Sequence, residues 1–241
     1  AGNKYSIERT KELVNKAVEN QVDYFVCISN SISEGRRNLV LGEEIDQMYY
    51  TLGCHPHNAK NFKTSDLQFL ASNIANRKCF AVGECGLDYN RNFSPADTQR
   101  EVFRTQIRLA KEHNKKLYMH CRDAFDDFTQ ILTEEGYFCG IVHCFTGNIE
   151  QALRFTSLGL KLGITGWLLD NRRNQDLVAV ISHPDITMDM LVVETDAPYM
   201  CIIKKRKSSF SEDLPLVVRR IAELKNMEEE ECGRMIYQTS C

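Results

Sequence analysis

The chain has 241 residues, 43% of them hydrophobic and 26% charged, with 30 Lys+Arg against 33 Asp+Glu and a formal net charge of −3. That length suits one large domain, close to the roughly 250 residues of a (β/α) barrel, and a chain of this composition can bury a sizeable core. No apolar run approaches the roughly 18 residues of a spanning helix and no charged-then-apolar leader opens the chain. Membrane, collagenous and disordered classes are therefore excluded. Without a global basic field, any nucleic-acid binding must come from local patches or bound metal.

In chain order, the sequence opens into a helix at 8–19, where Leu13, Val14, Ala17 and Val18 supply the apolar positions. Seven short apolar runs rich in β-branched and aromatic residues follow, at 24–29, 49–53, 79–83, 117–120, 141–143, 160–164 and 191–194. Runs of this kind, apolar on both faces and alternating with helical pattern, predict parallel strands covered by helices. The segment 98–113 predicts a helix with Val102, Phe103, Ile107, Leu109 and Ala110 as its apolar stripe and Gln99, Arg100, Gln106 and Lys111 on the polar side; Pro95 marks the turn before it. Further helices are predicted at 124–135, at 149–158 with Gly159 as the stop, at 214–224 with Pro215 near the start, and within 228–237. No repeat, low-complexity tract or linker interrupts the series, so residues 1–241 read as one domain. The expected fold class is α/β, a barrel or a doubly wound sheet. If it is a barrel, seven strands rather than eight mean that the first strand is missing from the sequence as given.

Ten cysteines, at 27, 54, 79, 85, 121, 139, 144, 201, 232 and 241, never form a CxxC pair, and several lie inside the strand-like runs. They read as buried small hydrophobes in a reduced intracellular compartment rather than as a disulfide framework.

The chemistry is carried by the carboxyl ends of the strands. Gly53-Cys54-His55-Pro56-His57 follows the second run and Gly83-Glu84-Cys85-Gly86-Leu87-Asp88 the third. His120-Cys121-Arg122 closes the fourth, His143-Cys144-Phe145-Thr146-Gly147 the fifth and Glu194-Thr195-Asp196-Ala197-Pro198 the seventh. Five strand ends thus deliver His, Glu or Asp to the same relative position, which in a parallel barrel is the catalytic face. A mixed His/Glu/Asp set suits divalent ions such as Zn, Mn or Mg with positions open for water. The cysteines that alternate with these residues are expected to point to the opposite face and pack. Arg122 reads equally as a phosphate contact or as a partner of Asp123 or Asp126. Asp88 reads equally as a residue orienting a ligand from behind or as the cap of the turn at Asn90-Arg91-Asn92. Lys204-Lys205-Arg206-Lys207 reads as a solvated loop, with a phosphate track or nuclear-import signal as the functional option. Trp167 reads as a cap on the core, with base stacking as its alternative.

These motifs, together with Gly163-Ile164-Thr165-Gly166 and Tyr89 and Tyr199 at the ends of two of them, resemble the TatD family of metal-dependent deoxyribonucleases in order and spacing over about residues 5–230. The resemblance implies a TIM-type (β/α) barrel and hydrolysis of DNA phosphodiesters, commonly as a 3′→5′ exonuclease, with two divalent ions (Mg, Mn or Zn). It implies that Glu84 bridges the two ions, that His120 and His143 are ligands of one of them, and that Asp196 binds metal and orients or deprotonates the attacking water. His55, His57 and Arg122 would lie beside the site, near substrate phosphate. DNA, single-stranded or offering 3′ ends, is the implied partner of a monomer without membrane contact, in the nucleus or cytoplasm. The sequence departs from the family in two places: the opening strand with its His-x-His or Asp-x-Asn-Leu motif is absent, and Ser211-Glu212-Asp213-Leu214-Pro215 stands where an Arg-Asn-x-Pro-like segment is usual. Two other readings use the same residues: a barrel hydrolase of small amides or esters, and a shortened form that binds DNA or a partner without cleaving.

Overall fold

The computed structural model describes residues 6–19, 22–201 and 206–240. The chain forms two compact units, Ala1–Gly140 and Ile141–Cys241.

In the first unit, helices α1 (Ile7–Glu19), α2 (Ile32–Glu44), α3 (Thr64–Asn73), α4 (Ala96–Glu112) and α5 (Phe125–Glu135) alternate with strands β1 (Phe25–Cys27), β2 (Met48–Leu52), β3 (Cys79–Asp88) and β4 (Lys116–Arg122). Each strand pairs in parallel with the next, Phe25 opposite Met48, Tyr50 opposite Cys79 and Ala81 opposite Lys116. Helices on the faces of a parallel sheet bury both of them, which is why β2 and β3 carry almost no exposed side chain. The rings of Phe103 (α4) and Phe128 (α5) stack 5.0 Å apart, both fully buried, as are Leu70, Ile107, Leu117 and Met119. Offset stacking of this kind adds to the area the two rings remove from water.

The third strand runs five residues further than its apolar run predicts, because the chain beyond Gly83 continues to pair with β4 after an irregularity. Gly83 faces Tyr118 and Cys85 faces Met119, so Glu84 is an extra residue without an opposite number. Such a bulge re-aims the side chain it carries. The main-chain N–H of Glu84 is satisfied by the Ser29 carbonyl at 2.9 Å. Ser29 is itself tied to Thr51 and to Asn38, whose amide donates to its hydroxyl at 3.0 Å. Two residues on, Gly86 has a φ of +128°, and a Cβ there would collide with the main-chain oxygen of His120.

Helix α4 corrects the sequence reading on one point. Gln99 and Gln106, placed on the polar side by periodicity, are 1% and 0% exposed. Each grips the backbone of a strand end. Gln106 receives the N–H of Cys54 at 2.7 Å and donates to its carbonyl at 3.1 Å. Gln99 receives the N–H of Asp88 at 2.8 Å and donates to its carbonyl at 3.0 Å. A primary amide matches the donor and acceptor of a peptide group, so it can extend a sheet ladder where no further strand pairs.

In the second unit, β5 (Gly140–Val142), which starts at the boundary, β6 (Lys161–Ile164) and β7 (Leu191–Val193) are parallel neighbours, with Val142 opposite Leu162 and Leu162 opposite Leu191. Helices α6 (Ile149–Ser157), α7 (Gln175–Ser182), α8 (Leu214–Lys225) and α9 (Glu229–Ser240) complete it. Asn148 caps α6 by accepting the Gln151 N–H at 3.0 Å while the Gln151 side chain accepts the Asn148 N–H, a reciprocal box that satisfies two orphan donors. The helix stops before Gly159, as the sequence predicts. No helix among the described residues is long and apolar enough to cross a membrane.

Gly86→Ala is expected to destabilise the protein by about 3 kcal/mol, from a disfavoured φ combined with backbone overlap. This would lower Tm by roughly 6–12 °C for a chain of this size in thermal unfolding. Gly233→Ala, in α9 with only Val218 within contact of the added methyl, should instead gain about 0.5–1 kcal/mol.

Candidate metal centre

Strand ends β2, β3 and β4 of the first unit bring five of the polar residues together. His55 Nε2 lies 3.4 Å and His120 Nδ1 3.1 Å from the same carboxylate oxygen, Oε1 of Glu84. His55 and Glu84 are buried and His120 is partly so; one ligand atom from each lies within 4.8 Å of the others. Two imidazole nitrogens and a carboxylate at that spacing fit a divalent ion of the Zn or Mn type.

Asp88 lies behind this group and is 1% exposed. Its Oδ2 accepts from His57 Nε2 at 2.8 Å and from His120 Nε2 at 3.1 Å. Its Oδ1 accepts the main-chain N–H of Asn90 at 3.0 Å and of Arg91 at 3.2 Å. Burial pushes the Asp88 carboxyl up, but the hydrogen bond and charge of His120, the Arg91 N–H and the His57 charge outweigh it and hold it well below the usual carboxylate range. One oxygen thus caps the turn, as one of the two sequence readings has it, and the other contacts His57 and His120. The His57 ring in turn meets Phe93 edge-on, 4.8 Å between centroids, and Phe93 is 52% exposed.

His55 is fixed by its own neighbours. Its main-chain N–H donates to the Asn30 carbonyl, and its Nδ1 accepts the main-chain N–H of His57 at 3.0 Å. Arg122 ends β4 exposed, its carbonyl taking the Tyr89 N–H. Among the described residues its guanidinium makes no ion pair, neither with Asp123 nor with Asp126.

The second unit carries its own donors. His143, 6% exposed, follows β5, and Asp196 follows β7 with a φ of +51°, a left-handed conformation that Asp tolerates better than most side chains. Between them stands a residue that sequence reasoning left without a role. Glu194 lies with Oε1 at 3.6 Å from His143 Nδ1 and accepts the main-chain N–H of Cys144 at 2.6 Å. Gly163 makes room for it, since a Cβ there would meet the Glu194 carboxylate and the His143 backbone. The signal available in the sequence was the pairing of a strand glycine with an acid at the next strand end.

Two further sequence readings find their places. Arg173 covers the Trp167 ring at 3.7 Å and accepts its indole N–H through the main chain at 3.0 Å, so one face of the ring is already stacked. In the basic run, Lys204 and Lys205 lie outside the described residues, and Arg206 is bound to Glu212 and Asp213.

The residues quoted from strand ends are matched from end to end by one family, described as TatD related DNase, over residues 2–241. The chain belongs to the TatD family. Its members are metal-dependent hydrolases of ester bonds, and this chain is one of them. Among curated relatives, the "3'-5' ssDNA/RNA exonuclease TatD" of Pectobacterium parmentieri is 36% identical over 222 residues, covering 88% of this chain and 84% of that protein. The protein of the same name from a Rahnella strain is 40% identical over 187 residues, 75% and 70% of the two chains. Among solved structures, the TatD homologue YJJV of Escherichia coli superimposes with a TM-score of 0.88 at 25% identity, covering 97% of this chain and 90% of that one. A TatD family hydrolase from Entamoeba histolytica gives 0.82 at 24% identity, with 95% and 86% covered. The fold is therefore the α/β, TIM-like fold of TatD structures.

The nine described cysteines are free thiols. As expected from their alternation with the site residues, Cys54 and Cys85 are packed inside, 3% and 0% exposed. Burial pushes the Cys54 thiol up to about 12 and the Cys79 thiol up to about 11, and holds the Cys85 thiol well above its ordinary value. In native protein at pH 8, a thiol reagent followed by peptide mapping should modify the exposed Cys139 and leave Cys54, Cys79 and Cys85 untouched until denaturant is added. Stoichiometric native labelling of Cys85 would contradict this packing.

Proposed function

We propose that the protein is a divalent-metal-dependent nuclease that hydrolyses phosphodiester bonds from the 3′ end of single-stranded DNA, with RNA as a second substrate. The observation that carries this reading is the convergence of His55 and His120 on one buried oxygen of Glu84, in a chain matched to the TatD family over residues 2–241. In the first unit Glu84 and His120 would hold an ion; in the second, His143 and Asp196 are the donors that the family resemblance assigns. That resemblance implies two ions of the Mg, Mn or Zn class. When bound, divalent ions supply the positive charge that a phosphodiester needs and a nucleophile near neutral pH.

The chain's own side chains divide the remaining tasks. Glu84, a carboxylate beside cations, stays ionised and is no proton donor. Asp196 orients and deprotonates the attacking water. The exposed Arg122 guanidinium offers planar donors to a phosphate, and His55 and His57 are the side chains that the family resemblance sets beside the substrate phosphate. Phe93, exposed beside His57, offers a ring on which an unpaired base can stack, which supports a single-stranded substrate. The reading extends to a monomer in which residues 1–241 act as one catalytic domain. The free thiols support a reducing intracellular compartment, cytoplasm or nucleus.

The test is digestion of end-labelled single-stranded DNA with Mg²⁺ or Mn²⁺ beside an EDTA control. Progressive shortening from the 3′ end is expected with metal and none with EDTA. Glu84→Ala and Asp196→Ala should each lower the rate by about 10²-fold or more, with circular dichroism unchanged. Cleavage undiminished by EDTA, or at full rate in either variant, would overturn the reading.

A further inference from the structure

The hydrogen bonds around the cluster decide which nitrogen of each imidazole carries a proton, and the two histidines facing Glu84 come out differently. Asp88 Oδ1 already takes two main-chain N–H groups and its Oδ2 takes two ring nitrogens. With four contacts converging on it, Asp88 serves only as acceptor, so His57 and His120 each donate to it from Nε2. The Nδ1 of a neutral His120 is then a lone pair, and it faces Glu84 Oε1 across 3.1 Å. With no ion bound, a second ring proton on Nδ1 makes this contact a charged hydrogen bond to Glu84; an ion would take the place of that proton on the same lone pair. His55 is set the other way. The His57 main-chain N–H points at its Nδ1, which leaves no room for a proton there, so the ring carries its proton on Nε2 and presents an N–H to the same Glu84 oxygen.

We propose that Asp88 is a positioning residue for the metal centre: by taking the Nε2 proton of His120 it fixes that ring as a lone-pair ligand beside Glu84, while the His57 backbone fixes His55 as a hydrogen-bond donor to Glu84 and, in the complex, to a substrate phosphate oxygen. The cluster of three candidate ligands thereby divides into two ligands, Glu84 and His120, and one donor, His55. A carboxylate behind a metal-binding histidine is a recurrent way of fixing tautomer and orientation. This inference rests on the proposed metal-dependent function and adds how its ligand set is chosen.

Asp88→Asn tests it. The backbone N–H groups of Asn90 and Arg91 hold the asparagine oxygen, so the amide NH₂ turns to the imidazoles and drives His120 to the Nδ1–H form. Two readouts are needed. The first is ¹⁵N NMR of the metal-free protein, with the His120 signal assigned by its loss in His120→Gln. At a pH high enough for both rings to be neutral, wild type should show His120 and His55 as Nε2–H tautomers, and Asp88→Asn should move His120 to Nδ1–H. The second is calorimetry with Mn²⁺, in which Asp88→Asn should lower affinity about 10–100-fold. His120 as the Nδ1–H tautomer in wild type overturns the inference even if the variant fails to fold, as does an Asp88→Asn protein that binds Mn²⁺ as tightly as wild type. Absence of Mn²⁺ binding to wild type with the expected tautomers present would overturn the metal-dependent function instead, and with it the positioning role.

Discussion

A strand that ends inside a protein leaves N–H and C=O groups that water cannot reach, and each must find a partner. Two of the strand ends that carry functional side chains in the first unit are such ends, at Cys54 and Asp88. Both are held by the amide of a glutamine on α4, Gln106 for the first and Gln99 for the second. The two glutamines are seven residues apart and so lie on one face of the helix. One rigid helix thus fixes the height of His55, next to Cys54, and of Asp88 with its two histidines. Were either amide lost, a buried peptide group would go unpaired, at a cost of about 1–3 kcal/mol, and the side chains that converge on Glu84 would lose their common reference.

On that frame, the bulge at Glu84 does for the acid what the glutamines do for the histidines. The extra residue turns its carboxylate toward the cluster, and Ser29 takes the N–H that the bulge would otherwise strand. The remaining selection is made by hydrogen bonds rather than by distance. His55 and His120 stand at similar distances from the same oxygen, yet the groups behind them present a donor in one case and a lone pair in the other. In the second unit, Glu194 stands beside His143 and accepts the Cys144 backbone N–H. An acid next to a strand-end histidine thus recurs in both units, each made possible by its own local geometry.

Much of this was legible in the sequence. Parallel strands advertise themselves by runs apolar on both faces, and all seven runs became strands. The strand-end residues share a position because parallel strands present their carboxyl ends together, so the motifs could be read before any side chain was placed. Periodicity failed on Gln99 and Gln106, because it sorts residues by polarity and cannot distinguish a solvated amide from one that substitutes for a missing strand. It also ended β3 at Gly83, since the pairing of Glu84–Asp88 depends on the β4 backbone and on Gly86 rather than on apolar alternation. The dual role of Asp88 stayed open for the same reason: its two oxygens serve a local turn and two histidines distant in sequence, and only the first partner is visible nearby.

The most direct test of the metal centre is an anomalous difference map from crystals soaked in Mn²⁺, collected at the manganese edge. The account predicts a peak about 2.0–2.2 Å from a Glu84 carboxylate oxygen and from His120 Nδ1, with His57 and His120 still bound to Asp88. A fully occupied ion that touches neither Glu84 nor His120 would contradict it.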